Sequence, residues 1–516
     1  MKLFKLAPIA GLLVASTAFA QTSQPNEPSA TIKIYASGAS AQLNTISGIL
    51  TSLCKPNGGG SQIQYYHGYG TSTGGTSATA VNSNLRAFRC ELANNSTSPG
   101  LNGQTILFTY SAIDGSASGV QYVARQLPRQ FINFSACPTA PLATQTVATT
   151  ITPAGSAQFN CNGTGVGATS TATTTPIIPS AGASDVEPSR FEGDNAPVGE
   201  TSITAAEVGN LVVKPGRAVI FGLYANAAMW LELQKRQGLI PTTATAPIMP
   251  FTTTVNATTN ALTNAVNTAF SEALRPNITK AEYRAIVKGD LNDMLYLAGT
   301  YTPVAGTVST GPLQLARRVN GSGTQAMSNI YFLNNSCGNL TGSSIPPADA
   351  SSTFGNFTVT LGSGTGNVIT EFQNNATRPT IGVISLENAS RGAYTLNAVN
   401  GNTDVSPKAA YAALKLDGIT PSRVNTINGS YEFFAEETIQ WNKNRIATGS
   451  LAETFMNRFV DAGASIATLQ TLSAATQEGS AALADYNGGS PAANTTWIMN
   501  STRGGNNCAP AVKYIE

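Results

Sequence analysis

Leu315-Ala316-Arg317-Arg318-Val319-Asn320-Gly321-Ser322-Gly323-Thr324, running on into Gln325-Ala326-Met327-Ser328-Asn329-Ile330-Tyr331-Phe332-Leu333, sets two arginines, a Gly-Ser-Gly-Thr turn and a helix-like apolar pattern in immediate succession. The preceding residues from Leu313 to Arg318 read as the strand that delivers the turn. A small-residue turn that opens a helix leaves backbone N–H groups unpaired. The helix dipole adds partial positive charge at the same place. With two hydroxyls and a guanidinium, those donors suit a tetrahedral oxyanion. Taken alone, the stretch reads better as a surface turn with a Ser cap. Its neighbours along the chain decide.

Working outward, three other stretches have the same form. Thr31-Ile32-Lys33-Ile34-Tyr35 alternates as a strand and runs into Ala36-Ser37-Gly38-Ala39-Ser40-Ala41. Leu43, Ile46, Ile49, Leu50 and Leu53 then share a helix face. The strand Thr105–Tyr110 leads to Ser111-Ala112-Ile113-Asp114-Gly115-Ser116-Ala117-Ser118-Gly119, followed by Val120, Val123 and Leu127 at helical spacing. Gly182-Ala183-Ser184-Asp185 places an acid in a small-residue loop, where local evidence alone favours a turn or helix cap.

Further elements fill the intervals. Arg217–Tyr224 is an apolar, central strand, as is 380–386. Residues 278–289 carry a Thr cap, an acid in the first turn and a terminal Gly, a well-punctuated helix. Residues 431–441 read as a return strand and 450–473 as an amphipathic helix. Residues 21–30 read as a flexible leader. Three polar stretches read as insertions or loops: 54–102, with short strand-like pieces such as Ile63-Gln64-Tyr65-Tyr66; 138–180, a loop or a small exposed hairpin region; and 241–265. Strands alternating with helices predict an α/β fold with mainly parallel sheets. The length predicts two lobes. In such sheets ligands sit where strands end and helices begin.

Residues 1–20 read as a secretory signal peptide: Lys2 and Lys5, a short apolar core, and Ala18-Phe19-Ala20 before the cut. No later apolar run reaches ~18 residues, so no membrane span is expected. Loss of the two lysines brings 29 basic and 27 acidic residues to equality, and only 11% of residues are charged. That balance argues against a nucleic-acid partner. Six cysteines, Cys54, Cys90, Cys137, Cys161, Cys337 and Cys508, in an oxidising compartment point to three disulfides. Sequence leaves the connectivity open; we take sequential order, Cys54–Cys90, Cys137–Cys161 and Cys337–Cys508, as the expectation. There is no Cys-x-x-Cys pair and a single histidine, His67, so no metal site or cofactor is expected. The lone histidine and the lack of a Gly-x-Ser-x-Gly elbow also argue against a hydrolase.

The four loops, in this order, resemble those of the phosphate-binding protein of the phosphate ABC transporter, a type II periplasmic binding protein. The likeness covers most of 31–445. It implies two lobes, each a mainly parallel sheet flanked by helices: 31–218 with 430–516, and 219–429. Thr/Ser/Gly-rich insertions at 54–102 and 138–180, pinned by disulfides, would interrupt the first. It implies a non-enzymatic, exported solute-binding protein, periplasmic or extracellular, whose partners are inorganic phosphate and an inner-membrane ABC permease. Carried over by position, Ser40 and Ala41 donate from the first loop and Ser116 from the second. Arg318 supplies the charged fork, and Ser322, Gly323 and Thr324 the helix N-terminus. Asp185 accepts the ligand's proton. Hydrogen phosphate carries that proton and sulfate does not. This chain departs from the family at Asn320, where the family has an Asp that pairs with the arginine, and at Ala41, which replaces an aromatic. The second loop has a competitor in 68–72, which also carries hydroxyls near glycines. The low charge and polar insertions also suit another role, an extracellular structural or adhesive protein on the same fold.

Overall fold

The architecture is that of a computed structural model. It describes residues 24–57, 62–68, 84–141, 143–144, 155–162, 167–255, 262–291, 313–335, 337, 346–350, 357–388, 390, 394–395, 407–472, 474–483 and 496–513. The signal-peptide reading of residues 1–20 and most of the competing loop 68–72 lie outside them.

In chain order the elements that position the site are β1 (Ile32–Gly38), α1 (Leu43–Leu53), β2 (Gln64–Gly68), β3 (Leu85–Glu91), β4 (Thr105–Ser111), α2 (Ser116–Arg125), β5 (Ala157–Cys161) and β6 (Ala181–Ser184). There follow β7 (Leu211–Asn226), α3 (Lys280–Lys288), β8 (Gln314–Arg318), α4 (Gly323–Leu333), β9 (Thr358–Gly362), β10 (Thr380–Ser385), β11 (Phe434–Asn442) and α5 (Leu451–Ala464). The fold is mixed α/β. One path of hydrogen-bonded strands runs β9-β8-β10-β7-β11-β6-β1-β4-β3-β2-β5. Two parallel cores lie on it, β6-β1-β4 and β9-β8-β10. Apart from the edge strand β9, their strands are buried almost throughout, as strands covered on both faces must be. Between the cores pass β7 and β11, antiparallel to each other and to their neighbours. The register of β7 shifts between Pro215 and Ala218, because proline cannot donate to the ladder.

Each core has its own apolar cluster. Ile34, Ile46, Phe108 and Phe459 join α1 and α5 to the first sheet. Leu223, Leu315, Ala326 and Ile384 join α4 to the second. Helix α2 lies unusually close to β6. A Cβ on Gly182 would stand 1.9 Å from the Gly119 carbonyl oxygen, so no other residue fits there. That contact sets the loop after β6 directly against the N-terminus of α2. Helix α3 has the punctuation its sequence predicts: Thr279 and Glu282 form a capping box, and Gly289 ends it in the left-handed region.

Several expectations are corrected. Residues 54–102 and 138–180 are not merely insertions: they supply β2, β3 and β5, which extend the sheet beyond β4. Phe159 and Cys161 are buried in a third cluster with Tyr66 and Phe134. The strand-like piece Ile63-Gln64-Tyr65-Tyr66 lies in and beside β2, whereas the polar composition hid β5, which is apolar at alternate positions only. Residues 241–265 hold one strand and part of a second, Phe251–Val255 paired with Leu262–Val266, rather than a loop alone. The helix expected over 450–473 breaks at Ser465, which ends α5 and begins a shorter one, Ile466–Thr471. The leader is tied down from Gln24 onward: Lys33 Nζ reaches Glu27 at 2.9 Å, and Gln24 donates to the Ile132 carbonyl at 3.2 Å.

The disulfides join the cysteines in sequential order: Cys54–Cys90, Cys137–Cys161 and Cys337–Cys508. The third links positions 171 residues apart, from just past α4 to the C-terminal segment. That segment grips the middle of the molecule. Asn507 Nδ2 donates to Glu187 at 2.6 Å, and the Arg503 N–H donates to Glu436 on β11 at 2.6 Å. Long loops lose most entropy on cross-linking, so the Cys337→Ser/Cys508→Ser pair should destabilise the protein by about 2–5 kcal/mol. The denaturation midpoint under non-reducing conditions measures this.

Candidate functional site

The first loop leaves β1 at Gly38, whose φ of +139° belongs to glycine. The Ala39 N–H donates to the Ala183 carbonyl at 3.0 Å, binding the loop to β6. A single turn, Ser40–Gln42, then enters α1. In the second loop Asp114 and Gly115 both have positive φ, which aims the N-terminus of α2 inward. In the fourth, Gly321 (φ +88°) turns the chain, and Ser322 caps α4 by accepting from the Gln325 N–H at 3.4 Å.

These loops meet, and the meeting joins the two halves of the sheet. Ser40 Oγ accepts from Arg318 Nη1 at 3.0 Å. The Thr324 hydroxyl donates to Asp185 Oδ2 at 3.3 Å. Ser116 Oγ accepts from the Asp185 N–H at 3.3 Å. The backbone joins as well: the Ala117 N–H donates to the Gly321 carbonyl at 2.8 Å, and the Gly321 N–H to the Asn195 carbonyl at 3.0 Å. Gly323 must be glycine, since a Cβ there would lie 2.3 Å from Ser116 Oγ and 2.7 Å from Asp185 Cβ. The structure thus brings Ser40, Ser116, Asp185, Arg318, Gly323 and Thr324 into one cluster. Ala41 is buried in the first loop, and Ser322 is the cap of the last.

Arg318 is buried, and its guanidinium makes four hydrogen bonds, all to neutral oxygens. Nε donates to the Gly362 carbonyl at 3.1 Å, Nη2 to the Ser363 carbonyl at 2.8 Å, and Nη1 also to Thr365 Oγ1 at 3.3 Å. Burial lowers its pKa to about 10, opposed by Asp185. Asn320 does not touch it; its Oδ1 accepts from Arg317 at 3.3 Å. Arg318 is therefore held by carbonyls and hydroxyls, and Asp185 is the negative charge that opposes the effect of its burial. Asp185 is also buried, and burial raises its pKa. Gln42 Nε2, donating at 3.1 Å to Oδ1, opposes that shift, as do Arg318 and Thr324.

Sequence reasoning missed Gln42, Thr365 and the Gly362–Ser363 carbonyls. Gln42 had a signal: it stands beside Ala41, one residue before Leu43, which begins the apolar face of α1 that turns inward. The others come from a separate strand end, and only the parallel pairing of β8 with β9 brings them in.

The N-termini of α2 and α4 approach closely: a Cβ on Gly115 would be 3.0 Å from Ser322 Cα. Two positive helix ends and a guanidinium thus face a single carboxylate, an arrangement that favours an added anion. His67 lies on β2, and burial lowers its pKa to about 3, so it is not a base at neutral pH. Among the described residues no cluster of His, Cys, Asp or Glu could hold a metal ion. Among them, too, no helix is long and apolar enough to cross a membrane.

No protein-family model matches the chain, and no curated protein does. Solved structures do. One, assigned as a phosphate ABC transporter substrate-binding protein from Clostridium perfringens with bound phosphate, is 11% identical with a TM-score of 0.38, over 85% of this chain and 96% of that one. An ABC-type phosphate transport receptor from Vibrio cholerae is 9% identical with a TM-score of 0.36, over 85% and 96%. PstS from Borrelia burgdorferi is 10% identical with a TM-score of 0.31, over 85% and 95%. What the site can hold rests on this chain's own residues.

Proposed function

We propose that this protein captures inorganic phosphate between two lobes, 31–218 with 430–516 and 219–429, and acts without covalent chemistry. Strands β7 and β11 would form the hinge. The boundary at 218 falls within β7, which runs from one sheet core to the other. The observation that carries the reading is Arg318: a buried guanidinium with no described carboxylate partner, beside two helix N-termini, facing one buried acid. Ser40, Ala41, Ser116, Ser322, Gly323 and Thr324 would supply hydroxyl and backbone donors. Asp185 would accept the ligand's own proton, rewarding hydrogen phosphate and repelling sulfate. The export signal read in the sequence fits delivery to an ABC permease. The one histidine is held neutral by burial, its pKa lowered to about 3.

Calorimetric titration of the purified mature chain tests this. The expected result is a phosphate Kd on the order of 1 μM or tighter, about −8 kcal/mol, that excess sulfate leaves unchanged. No phosphate heat, or tighter binding of sulfate or an organic anion, overturns the reading.

A further inference from the structure

Anion capture uses Arg318 and Asp185 but leaves a second group of buried charges beside them unexplained. Arg217 on β7 and Glu437 on β11 form an ion pair at 3.1 Å, with side chains 1% and 2% exposed. Arg217 Nε is engaged by Ser480 Oγ at 3.0 Å. The other Glu437 oxygen, Oε2, has no hydrogen-bond partner. Glu387, just past β10 and buried, reaches the opposite half: Thr45 Oγ1 on α1 donates to its Oε2 at 3.5 Å. The backbone makes room for both. A Cβ on Gly216 would stand 2.4 Å from Glu437 Oε1, and one on Gly479 would stand 2.7 Å from the Glu387 nitrogen.

The charges around this pair do not balance. Arg217 faces both glutamates, and Asp185 adds a further negative charge from the loop after β6. Arg86 on β3 is near Glu387, but its Nη1 goes to the Leu43 carbonyl, Asn44 and Ser47. Helix α1 contributes only the uncharged Thr45 and Gln42. Tyr110 on β4 remains a phenol, since burial and these acids raise its pKa. Arg318 acts at one remove, through Asp185. Adding a dianion to such a site requires another positive charge, and the only mobile one is a proton.

We propose that Glu387 and Glu437 form a proton-binding site coupled to anion capture, so that closing on a tetrahedral dianion takes up a proton from water and release returns it. This rests on the anion reading of the adjacent cluster. The balance is simple: one carboxylate, one proton and one dianion combine into a neutral carboxyl and a bound anion, with no other bond made or broken. In the closed structure burial raises Glu387 to about 8 and Glu437 to about 7, with Arg217 opposing and Asp185 reinforcing. A group raised in the closed form and ordinary when solvated gains protons on closing at pH values between the two. The coupling therefore favours closure near neutrality, and the advantage fades as pH rises through about 7 to 8.

The test titrates inorganic phosphate into wild type, Glu387→Gln and Glu437→Gln at about pH 7.5, in buffers of different ionisation enthalpy. The slope of heat against buffer enthalpy counts protons. Phosphate's own protonation is common to all three proteins and cancels in the comparison. Glu387→Gln is expected to take up about half to one proton fewer than wild type. If Glu437→Gln unfolds, leaving Arg217 unpaired, Glu387→Gln decides alone. Infrared difference spectra give a second readout: phosphate should raise a protonated-carboxyl band in wild type that Glu387→Gln loses. Equal proton counts with binding intact overturn the coupling alone. No phosphate heat in wild type overturns the anion reading, and the coupling falls with it.

Discussion

Replacing Arg318 by alanine is expected to weaken phosphate binding by at least about thirtyfold, a loss of about 2–5 kcal/mol. The guanidinium is the one full positive charge bonded directly within the cluster, and its orientation is set before any ligand arrives. The Gly362 and Ser363 carbonyls fix two of its edges, while Nη1 points to Ser40 across the closing surface. Such fixed, charged donors lose little entropy on binding. Part of the cost of truncation comes from the two carbonyls left unpaired. Arg318→Lys separates the two effects, because it keeps the charge and loses the fork. Calorimetry on folded variants is decisive. A change below about threefold in Arg318→Ala would put the arginine outside the ligand's reach.

Asp185→Asn should have the second-largest effect, and of a different kind. Phosphate affinity should fall by about tenfold or more, the worth of one charge-assisted hydrogen bond, while sulfate begins to compete. An amide can donate to a fully ionised oxyanion, whereas the carboxylate repels it. The same logic fixes the pH dependence in wild type. Burial holds the Asp185 pKa above its ordinary value. As pH falls through that raised value the carboxyl becomes a donor, and sulfate exclusion should fade. Phosphate binding measured with and without sulfate, over a descending pH series, checks both statements. Continued sulfate exclusion by Asp185→Asn would remove Asp185 from the discriminating role.

The site was legible in the sequence because its parts are local. Each of its loops is a short run of small residues between a strand and a helix, and periodicity finds both flanks. Ser322-Gly323-Thr324 could be read as a helix N-terminus from the chain alone. What periodicity could not supply was partnership. The Thr365 hydroxyl and the Gly362 carbonyl reach Arg318 only because β8 and β9 lie parallel, a contact made more than 40 residues downstream. The edge strands were only partly legible. Ile63-Gln64-Tyr65-Tyr66 stands out as strand-like, but Ala157–Cys161 sits among glycines, serines and threonines, with apolar side chains at alternate positions only. Composition averaged over such a stretch looks like a loop. Glu387 and Glu437 show the same limit. Each reads as an ordinary polar residue, and only the fold buries it, with Gly216 leaving room beside Glu437 and Gly479 beside Glu387.

The main-chain bonds from Ala117 to Gly321 and from Gly321 to Asn195 have a kinetic meaning. If the protein closes on an anion as proposed, these bonds, which contain no ligand atom, would hold the closed form by themselves. A receptor that latches by itself spends part of its unloaded life shut. Loading must then wait for a spontaneous opening, and cargo leaves only as often as the latch lifts. Such a protein trades speed of capture for a long dwell time. That suits a scavenger working where its solute is scarce, in which losing a captured ion is the costlier error.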